Sequence, residues 1–220
     1  MGFMMKPCEF VRQLSVVRFE NTFNPYADQC AVHDLPDAAH KRGVALTAIL
    51  DAACSVEIDS LWIGRDLGYR GGRRTGLALT DDIHVTSHAN RWNVPITRHT
   101  RGSPVSERTA SVIWGMLDQI VAPVFLWNVF PLHPHEPDNQ FTNRLHNARE
   151  RREGEEILGQ LIKLLKPKRL IGLGNDAEKA LRRLARNGHV IKARHPSYGG
   201  QTEFLRQMHD LYGVKENRLL

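Results

Sequence analysis

The sequence predicts an α/β protein with three α/β/α layers around a central four-stranded parallel sheet. Its 220 residues are enough for one domain with a well-buried core. The composition, with 41% hydrophobic and 25% charged residues, is that of an ordinary globular protein. Short apolar runs alternate with amphipathic segments, which is the pattern of βαβ units. We therefore expect residues 1–220 to form a single domain, with residues 1–50 packed on it as a helical extension.

The strands and helices follow from this alternation. The four apolar runs predicted as buried strands are Ser60–Ile63, Val124–Val129, Arg169–Leu173 and His189–Ala193. Helices are predicted at about residues 38–54, 106–120, 150–166 and 175–187, and a last one at 201–212. Ser106 is expected to cap the second of these helices, because its hydroxyl can accept a hydrogen bond from the first turn. Pro167 and Gly188 follow the ends of two others.

The net charge and the cysteines indicate what kind of partner and which cellular compartment to expect. A net charge of +6 and a pI near 9.5 suit a polyanionic partner, although solubility alone explains them equally well. The three cysteines are odd in number and widely spaced, which is typical of a reducing compartment. No run approaches the roughly 18 apolar residues of a membrane span, and residues 1–6 lack a secretory leader. We expect a cytoplasmic protein without a membrane partner.

Cys30 and His33 lie close together and raise the question of a zinc site. Zinc sites need four ligands at suitable spacing, and only two are local here. Three scattered cysteines also cannot supply the four thiolates of an iron–sulfur cluster. We therefore predict no metal and no other cofactor.

Three loops with unusual chemistry, at 64–82, 128–143 and 194–200, each follow a predicted strand. In open parallel sheets the ligand crevice forms at the carboxyl ends of the strands, so these loops are expected to converge there. The first contains five glycines, which let the backbone approach a ligand, and four arginines that could meet phosphates. It is neither a Walker loop nor a GxGxxG dinucleotide fingerprint.

The first loop reads GRDLGY at 64–69 and GLALT at 76–80. It resembles motif A of the uracil-DNA glycosylase superfamily, GQDPYH followed by GLAFS in the classical branch. The resemblance implies that Asp66 positions the attacking water and stabilises the positive charge that develops on the sugar. The chemistry supports a carboxylate there, because glycosidic cleavage passes through an oxocarbenium-like state. Taken alone, an aspartate in a loop is more often an Asx turn or a helix cap.

Within this motif Gly64 and Arg65 are expected at the base pocket, and Arg70, Arg73 and Arg74 on DNA. Two positions depart from the classical pattern. Gly68 replaces a tyrosine that excludes bases with a 5-methyl group, as in the branch active on single-stranded DNA and 5-hydroxymethyluracil, so a broader pocket is expected. Leu79 stands where the family has a base-stacking phenylalanine. Tyr69 and Tyr26 are the candidate substitutes for that ring.

The other two loops extend the resemblance. Asn128, in NVFPL at 128–132, matches the asparagine that reads the N3–O4 edge of uracil, although a structural loop asparagine stays open. His195 begins the HPS segment of motif B, and the resemblance implies that it donates to uracil O2. Ser197 and Tyr198 follow it and are expected on DNA, Tyr198 near the place of the family's leucine wedge. Ser106 ends the segment 103–106, which resembles the loop with which the family pinches DNA phosphates. The resemblance implies that Ser106 contacts DNA.

The resemblance covers about residues 58–212. It implies a DNA-repair glycosylase of the monofunctional type, which hydrolyses the N-glycosidic bond of uracil, and of uracils substituted at C5, and leaves an abasic site. Two alternatives stay open. One is an enzyme that binds or hydrolyses free nucleotides, with the glycine- and arginine-rich loop on a phosphate. The other is a glycosylase fold that binds DNA without cutting it, because the stacking phenylalanine and the wedge are missing.

Overall fold

The computed structural model describes residues 5–185, 189–197 and 199–214. Its strands are β1 (Thr22–Phe23), β2 (Ser60–Asp66), β3 (Val124–Phe130), β4 (His133–Pro134), β5 (Arg169–Leu173) and β6 (Val190–Ala193). Its helices are α1 (Pro7–Val16), α2 (Ala38–Cys54), α3 (Gly72–Thr75), α4 (Val85–Trp92), α5 (Arg108–Leu117), α6 (Ala148–Leu165), α7 (Asn175–Leu184) and α8 (Gln201–Tyr212).

The central sheet has four parallel strands in the order β3-β2-β5-β6. Ser60 at the start of β2 pairs with Val124 on one side and with Arg169 on the other, so three strands begin level with one another. Their carboxyl ends consequently lie at one edge. The short strands β1 and β4 form a separate antiparallel pair beside this sheet. The predicted fold class is confirmed.

Helices cover both faces of the sheet because successive residues of a buried strand point to opposite sides. Leu61 and Ile63 of β2 belong to one apolar core together with residues of α1, α2, α6 and α7. Trp62, between them, belongs to a second core with residues of α5 and α8. This alternation explains why the strand appears in the sequence as a continuous apolar run.

Helices α1 and α2 bring the first part of the chain onto the sheet. Phe10 of α1 is buried, and its ring centroid lies 5.7 Å from that of Trp127 in β3. Pro7 occupies the first turn of α1, where its missing N–H costs nothing. The sequence prediction located α2 but not α1, although Phe10, Val11 and Leu14 of α1 are buried on one face.

Helix α5 begins later than predicted. Ser106 is exposed and does not cap it; Glu107 is the N-cap residue, and it makes no side-chain capping bond. Instead, the backbone N–H of Glu107 donates to Oδ2 of Asp81, 2.6 Å away. The predicted cap was wrong because a distant carboxylate, invisible to local sequence rules, fixes the chain at this point.

Smaller differences concern the ends of other elements. Strand β6 begins at Val190 rather than at His189, and β2 extends through Asp66, so the first three loop residues belong to the strand. Helix α7 ends at Leu184, and Gly188, predicted to follow its end, lies outside the described residues. Helices α3 and α4 lie in the stretch between β2 and α5 and were not predicted.

Candidate active site

A cavity of about 560 Å³ opens at the carboxyl ends of β2, β5 and β6. Asp66 and His195, the two predicted catalytic residues, both line it. Gly68 and Leu79 from the glycine-rich segment line it as well, together with Glu107 from the start of α5. The convergence of the loops at this edge, predicted from the sequence, is therefore present in the structure.

Asp66 is the last residue of β2, and both oxygens of its carboxylate accept hydrogen bonds. Nε of Arg65 donates to Oδ2 over 2.7 Å, and Nδ1 of His146 is bonded to Oδ1. The Asp66 side chain is only 7% exposed, so these two donors fix its orientation. His146 immediately precedes the cap of α6 and lies 80 positions away in the chain. Sequence reasoning missed it because it belongs to no recognisable motif.

His195 follows β6, and its ring is oriented by Ser197. Nδ1 accepts a hydrogen bond from the Ser197 backbone N–H over 3.2 Å and lies 2.7 Å from the Ser197 hydroxyl. An N–H group can only donate, so Nδ1 carries a lone pair, and the ring proton of the neutral form is on Nε2. Burial, with help from the charges of Arg65 and Arg194, lowers the pKa of His195 and favours this neutral form.

Ser197 itself was predicted to contact DNA. Its hydroxyl and its backbone N–H both face the ring of His195 in the structure. This arrangement gives Ser197 a clear positioning role, and its contact with DNA stays a prediction.

Asn128 lies in β3 and pairs in register with Gly64 of β2. Its side chain is buried, and neither Nδ2 nor Oδ1 has a hydrogen-bond partner among the residues that the structure describes. A Cβ atom on Gly64 would lie 2.3 Å from Oδ1 of Asn128 and 3.1 Å from a methyl of Leu79. Glycine at position 64 therefore leaves room for the Asn128 side chain. Leaving a buried amide unpaired costs about 1–3 kcal/mol, and a site that awaits a ligand explains that cost.

Asn128 does not itself line the cavity, unlike Asp66 and His195. Leu79, which does line it, lies next to the Asn128 amide and has a left-handed backbone conformation with φ of 54°. The backbone of a non-glycine residue rarely adopts this conformation. The amide is thus one layer behind the cavity wall.

The expectation of open space beside Gly68 is wrong. A Cβ atom on Gly68 would lie 3.2 Å from both carboxyl oxygens of Glu107, and one on Gly71 would lie 2.1 Å from Oε2. The space left by the missing side chains is therefore filled by the Glu107 carboxyl. Burial raises the pKa of Glu107, the charge of Asp81 raises it further, and Arg70 opposes both effects.

Two of the arginines predicted to bind DNA are buried, and this prediction is corrected. The Arg73 guanidinium lies 3.9 Å from the ring centroid of Phe23 and donates to Gln140. Arg74 forms a buried ion pair with Asp82 over 2.7 Å. Both side chains hold the loop in place, because a buried guanidinium must be paired within the protein. Arg70 is exposed, as the prediction requires.

The candidates for a base-stacking ring do not reach the cavity. Tyr26 is buried in the core, where its hydroxyl donates to the Gly76 carbonyl over 2.6 Å, so this interpretation was wrong. Tyr69 does not line the cavity, and Tyr198 lies outside the described residues. Among the described residues that line the cavity there is no Phe, Tyr or Trp. Leu79 supplies an apolar surface instead.

The residues considered for zinc have structural partners. The backbone N–H of buried Cys30 donates to Asp34, and the ring of His33 packs edge-on against Phe141. Over residues 5–185, 189–197 and 199–214, no three His, Cys, Asp or Glu side chains are grouped as metal ligands. In the same ranges no helix is long and apolar enough to cross a membrane.

A carboxylate and a neutral histidine beside a buried amide at the end of a parallel sheet are suited to hydrolysis of a bond to a base. The family model of the uracil DNA glycosylase superfamily matches residues 61–210, and the chain belongs to this superfamily of DNA glycosylases. None of the curated protein sequences matches the chain significantly.

The fold is similar to that of a solved structure, wild-type SMUG2 of Pedobacter heparinus. The TM-score is 0.61 over 95% of this chain and 96% of the other, at 16% sequence identity. At this identity the likeness concerns the fold. The likeness extends beyond residues 61–210, the region matched by the family model.

Proposed function

We propose that this protein hydrolyses the N-glycosidic bond of uracil in DNA and leaves an abasic site, as a monofunctional glycosylase. The observation that carries the proposal is that Asp66 and His195 face one cavity. The two groups suit opposite sides of the bond. The carboxylate of Asp66 suits the sugar side, and the N–H donor of His195 suits the base side. Membership of the superfamily supports the reaction class.

Asp66 acts on the sugar side of the bond. As the base departs, positive charge develops on the deoxyribose, and a nearby carboxylate stabilises that charge and orients water for attack. Arg65 and His146 hold the two carboxylate oxygens, so the group needs no reorganisation when the charge appears.

His195 acts on the base side. Since Nδ1 is engaged by Ser197, Nε2 carries the proton and donates to O2 of uracil as negative charge collects on the leaving base. Removing one such preorganised donor typically costs about 2.7–4 kcal/mol of transition-state stabilisation.

Asn128 reads the base in this proposal. An amide can accept from N3–H and donate to O4 at the same time, which distinguishes uracil from cytosine. Its two unpaired polar atoms supply this pair of bonds. Because Leu79 lines the cavity and Asn128 does not, the proposal requires a local rearrangement that brings the base to the amide.

DNA is the proposed macromolecular partner. The net charge of +6 favours a polyanion, and the exposed side chains of Arg70 and Arg194 are available for phosphates near the cavity. Bases inside a duplex are inaccessible, so the uracil is flipped out or taken from single-stranded DNA. We include uracils with a polar C5 substituent in the proposed substrate range.

The test is incubation of excess protein with an end-labelled oligonucleotide that contains one uracil, followed by alkali. We expect strand breakage at the uracil after alkali and none before it. A gel shift without breakage would instead indicate a DNA-binding protein without activity. Neither shift nor breakage would favour an enzyme of free nucleotides.

A further inference from the structure

We propose that Glu107 determines which C5 substituents the enzyme accepts, by hydrogen bonding to a hydroxyl carried at that position and by rejecting a bare methyl group. The inference rests on the proposed uracil excision and adds the residue that sets its substrate range. Glu107 lies in no motif and does not take part in the chemistry described above.

The Glu107 carboxyl lies in a space that two glycines leave open. Gly68 and Gly71 make room for it, since a Cβ atom on either would lie within 3.2 Å of its oxygens. The backbone N–H of Glu107 is bound by buried Asp81, which anchors the residue at the start of α5. The carboxyl is thus held at the wall of the cavity that also contains Asp66 and His195.

The carboxyl is available for a ligand. Within the described part of the chain, no donor forms a hydrogen bond with it; its neighbours act on it through burial and through the charges of Asp81 and Arg70. Arg70 is exposed and leaves the oxygens unpaired. The raised pKa of Glu107 has the same origin, because a partly desolvated carboxyl without a bonded partner resists ionisation.

The chemistry of uracil assigns the remaining edge of the base to Glu107. Asn128 uses N3 and O4, His195 uses O2, and Asp66 lies toward the sugar at N1. The edge without a polar partner is then C5–C6, and Glu107 is the cavity side chain with free polar atoms beside Gly68. A hydroxymethyl group at C5 donates to this carboxyl when the carboxyl is ionised and can also accept from it when it is protonated, so a hydrogen bond can form in either state.

A methyl group at C5 has the opposite effect. It fills the same space, displaces water from the carboxyl and offers no hydrogen bond in return. A site built to bond a substrate hydroxyl discriminates strongly against the analogue that lacks it. Thymine would therefore be rejected by an unpaired polar group, although no aromatic ring is present at position 68 to exclude it.

The test compares single-turnover excision of uracil, 5-hydroxymethyluracil and thymine from the same single-stranded oligonucleotide. The wild-type protein should remove 5-hydroxymethyluracil at least about tenfold faster than thymine. Glu107→Met keeps the length of the side chain and removes its polar atoms. In this variant the ratio of the 5-hydroxymethyluracil rate to the thymine rate should fall at least about tenfold. Glu107→Gln, which retains a donor and an acceptor, should keep most of the preference.

Glu156→Met serves as a matched control, because Glu156 is exposed on α6 and does not line the cavity. An unchanged ratio in a folded Glu107→Met variant overturns the inference while uracil excision stands. Equal wild-type rates on the two substituted bases also overturn it, even if the variant does not fold. Absence of uracil excision by the wild type contradicts the proposed function instead.

Discussion

At the scale of single residues, the carboxylate that we propose to be catalytic is hydrogen-bonded to a histidine outside every motif. Asp66 is bonded by Arg65, its neighbour in the strand, and by His146, which follows a long loop. The side chain of Arg65 is 40% exposed, and its Nη1 lies 3.8 Å from Oδ2 of Asp176. The Arg65 guanidinium is therefore shared between Asp66 and Asp176. The side chain of His146 is 8% exposed and is the more buried of the two.

We predict that His146→Ala lowers the single-turnover rate of uracil excision at least about tenfold, because the Asp66 carboxylate loses a fixed donor. Affinity for the DNA should change little, since His146 meets no phosphate in this account. His146→Asn places an amide donor near the position of Nδ1 and should recover part of the rate. The exposed His40 on α2 provides a control, His40→Ala. A normal rate for folded His146→Ala would show that Asp66 needs no such support.

The protonation of His195 leads to a prediction about pH. In the proposed mechanism the ring acts in its neutral form, and burial, Arg65 and Arg194 lower its pKa. The excision rate should therefore stay level as the pH falls through the ordinary histidine range near 6.5, and decline only below it. Arg194→Gln removes one of the cations that lower the pKa, so the acid limb of the rate profile should move to higher pH.

Arg206→Gln on α8, an exposed arginine outside the cavity, is the control for Arg194→Gln and should leave the profile unchanged. A profile for Arg194→Gln that coincides with the wild type, or moves to lower pH, would mean that His195 does not set the acid limb.

At the scale of elements, the pairing of β2 with β3 determines the position of Asn128, which we propose reads the base. Gly64 and Asn128 are register partners, and the contact between them leaves no room for a Cβ atom. We predict that Gly64→Ala displaces the Asn128 amide and lowers uracil excision at least about tenfold. Overpacking of a core contact of this kind also costs typically 1–3 kcal/mol of stability.

Gly115→Ala on α5 is the matched change, because no atom of the described residues lies within 4 Å of a Cβ atom there. It should preserve excision and raise stability by roughly 0.5–1 kcal/mol, as expected for alanine in a helix. Thermal unfolding and single-turnover rates of both variants check the pair. Equal rates for Gly64→Ala and Gly115→Ala would remove Asn128 from base recognition.

The elements were predictable where burial alone decides them. The runs at β3 and β5 are apolar because helices cover both faces of the sheet, and a continuous apolar run is a strong local signal. The start of α5 was not predictable. Ser106 has the residue type of a cap, but the anchor is Asp81, and its bond to the Glu107 N–H depends on how the preceding loop folds. Local rules do not include such long-range partners.

At the scale of the whole molecule, the same limit affected the prediction of the DNA surface. Four arginines in one glycine-rich segment indicate phosphate contacts, yet Arg73 and Arg74 turn inward. The sequence shows that a side chain is charged but not whether it points into the protein or to solvent. That depends on how the segment folds, and this one contains the short helix α3. The motif residues Asp66 and His195 were predictable because strand ends in a parallel sheet meet at one edge. Glu107 and His146 were not, since they enter this edge from other elements.

Variants of Arg70 and Arg73 distinguish the two roles expected of arginines in this segment, which are contact with DNA and stabilisation of the fold. Arg70→Ala should weaken DNA binding and reduce the slope of log affinity against log salt by about 1, the expected loss of one phosphate contact. Arg73→Ala should instead lower stability by at least about 1 kcal/mol, because its guanidinium contacts Phe23 and Phe141 inside the protein. Salt titrations of binding and chemical unfolding measure the two effects. Equal salt slopes for Arg70→Ala and the wild type would contradict this assignment.

The central claim is that Asp66 and His195 act in one cavity on the bond between uracil and its sugar. Its most direct test is the single-turnover rate of uracil excision by Asp66→Asn and His195→Ala, with affinity for the same oligonucleotide measured alongside. We predict that each variant loses at least about tenfold in rate, with DNA binding preserved. Near-normal excision by both folded variants would contradict the claim and place the chemistry elsewhere in the molecule.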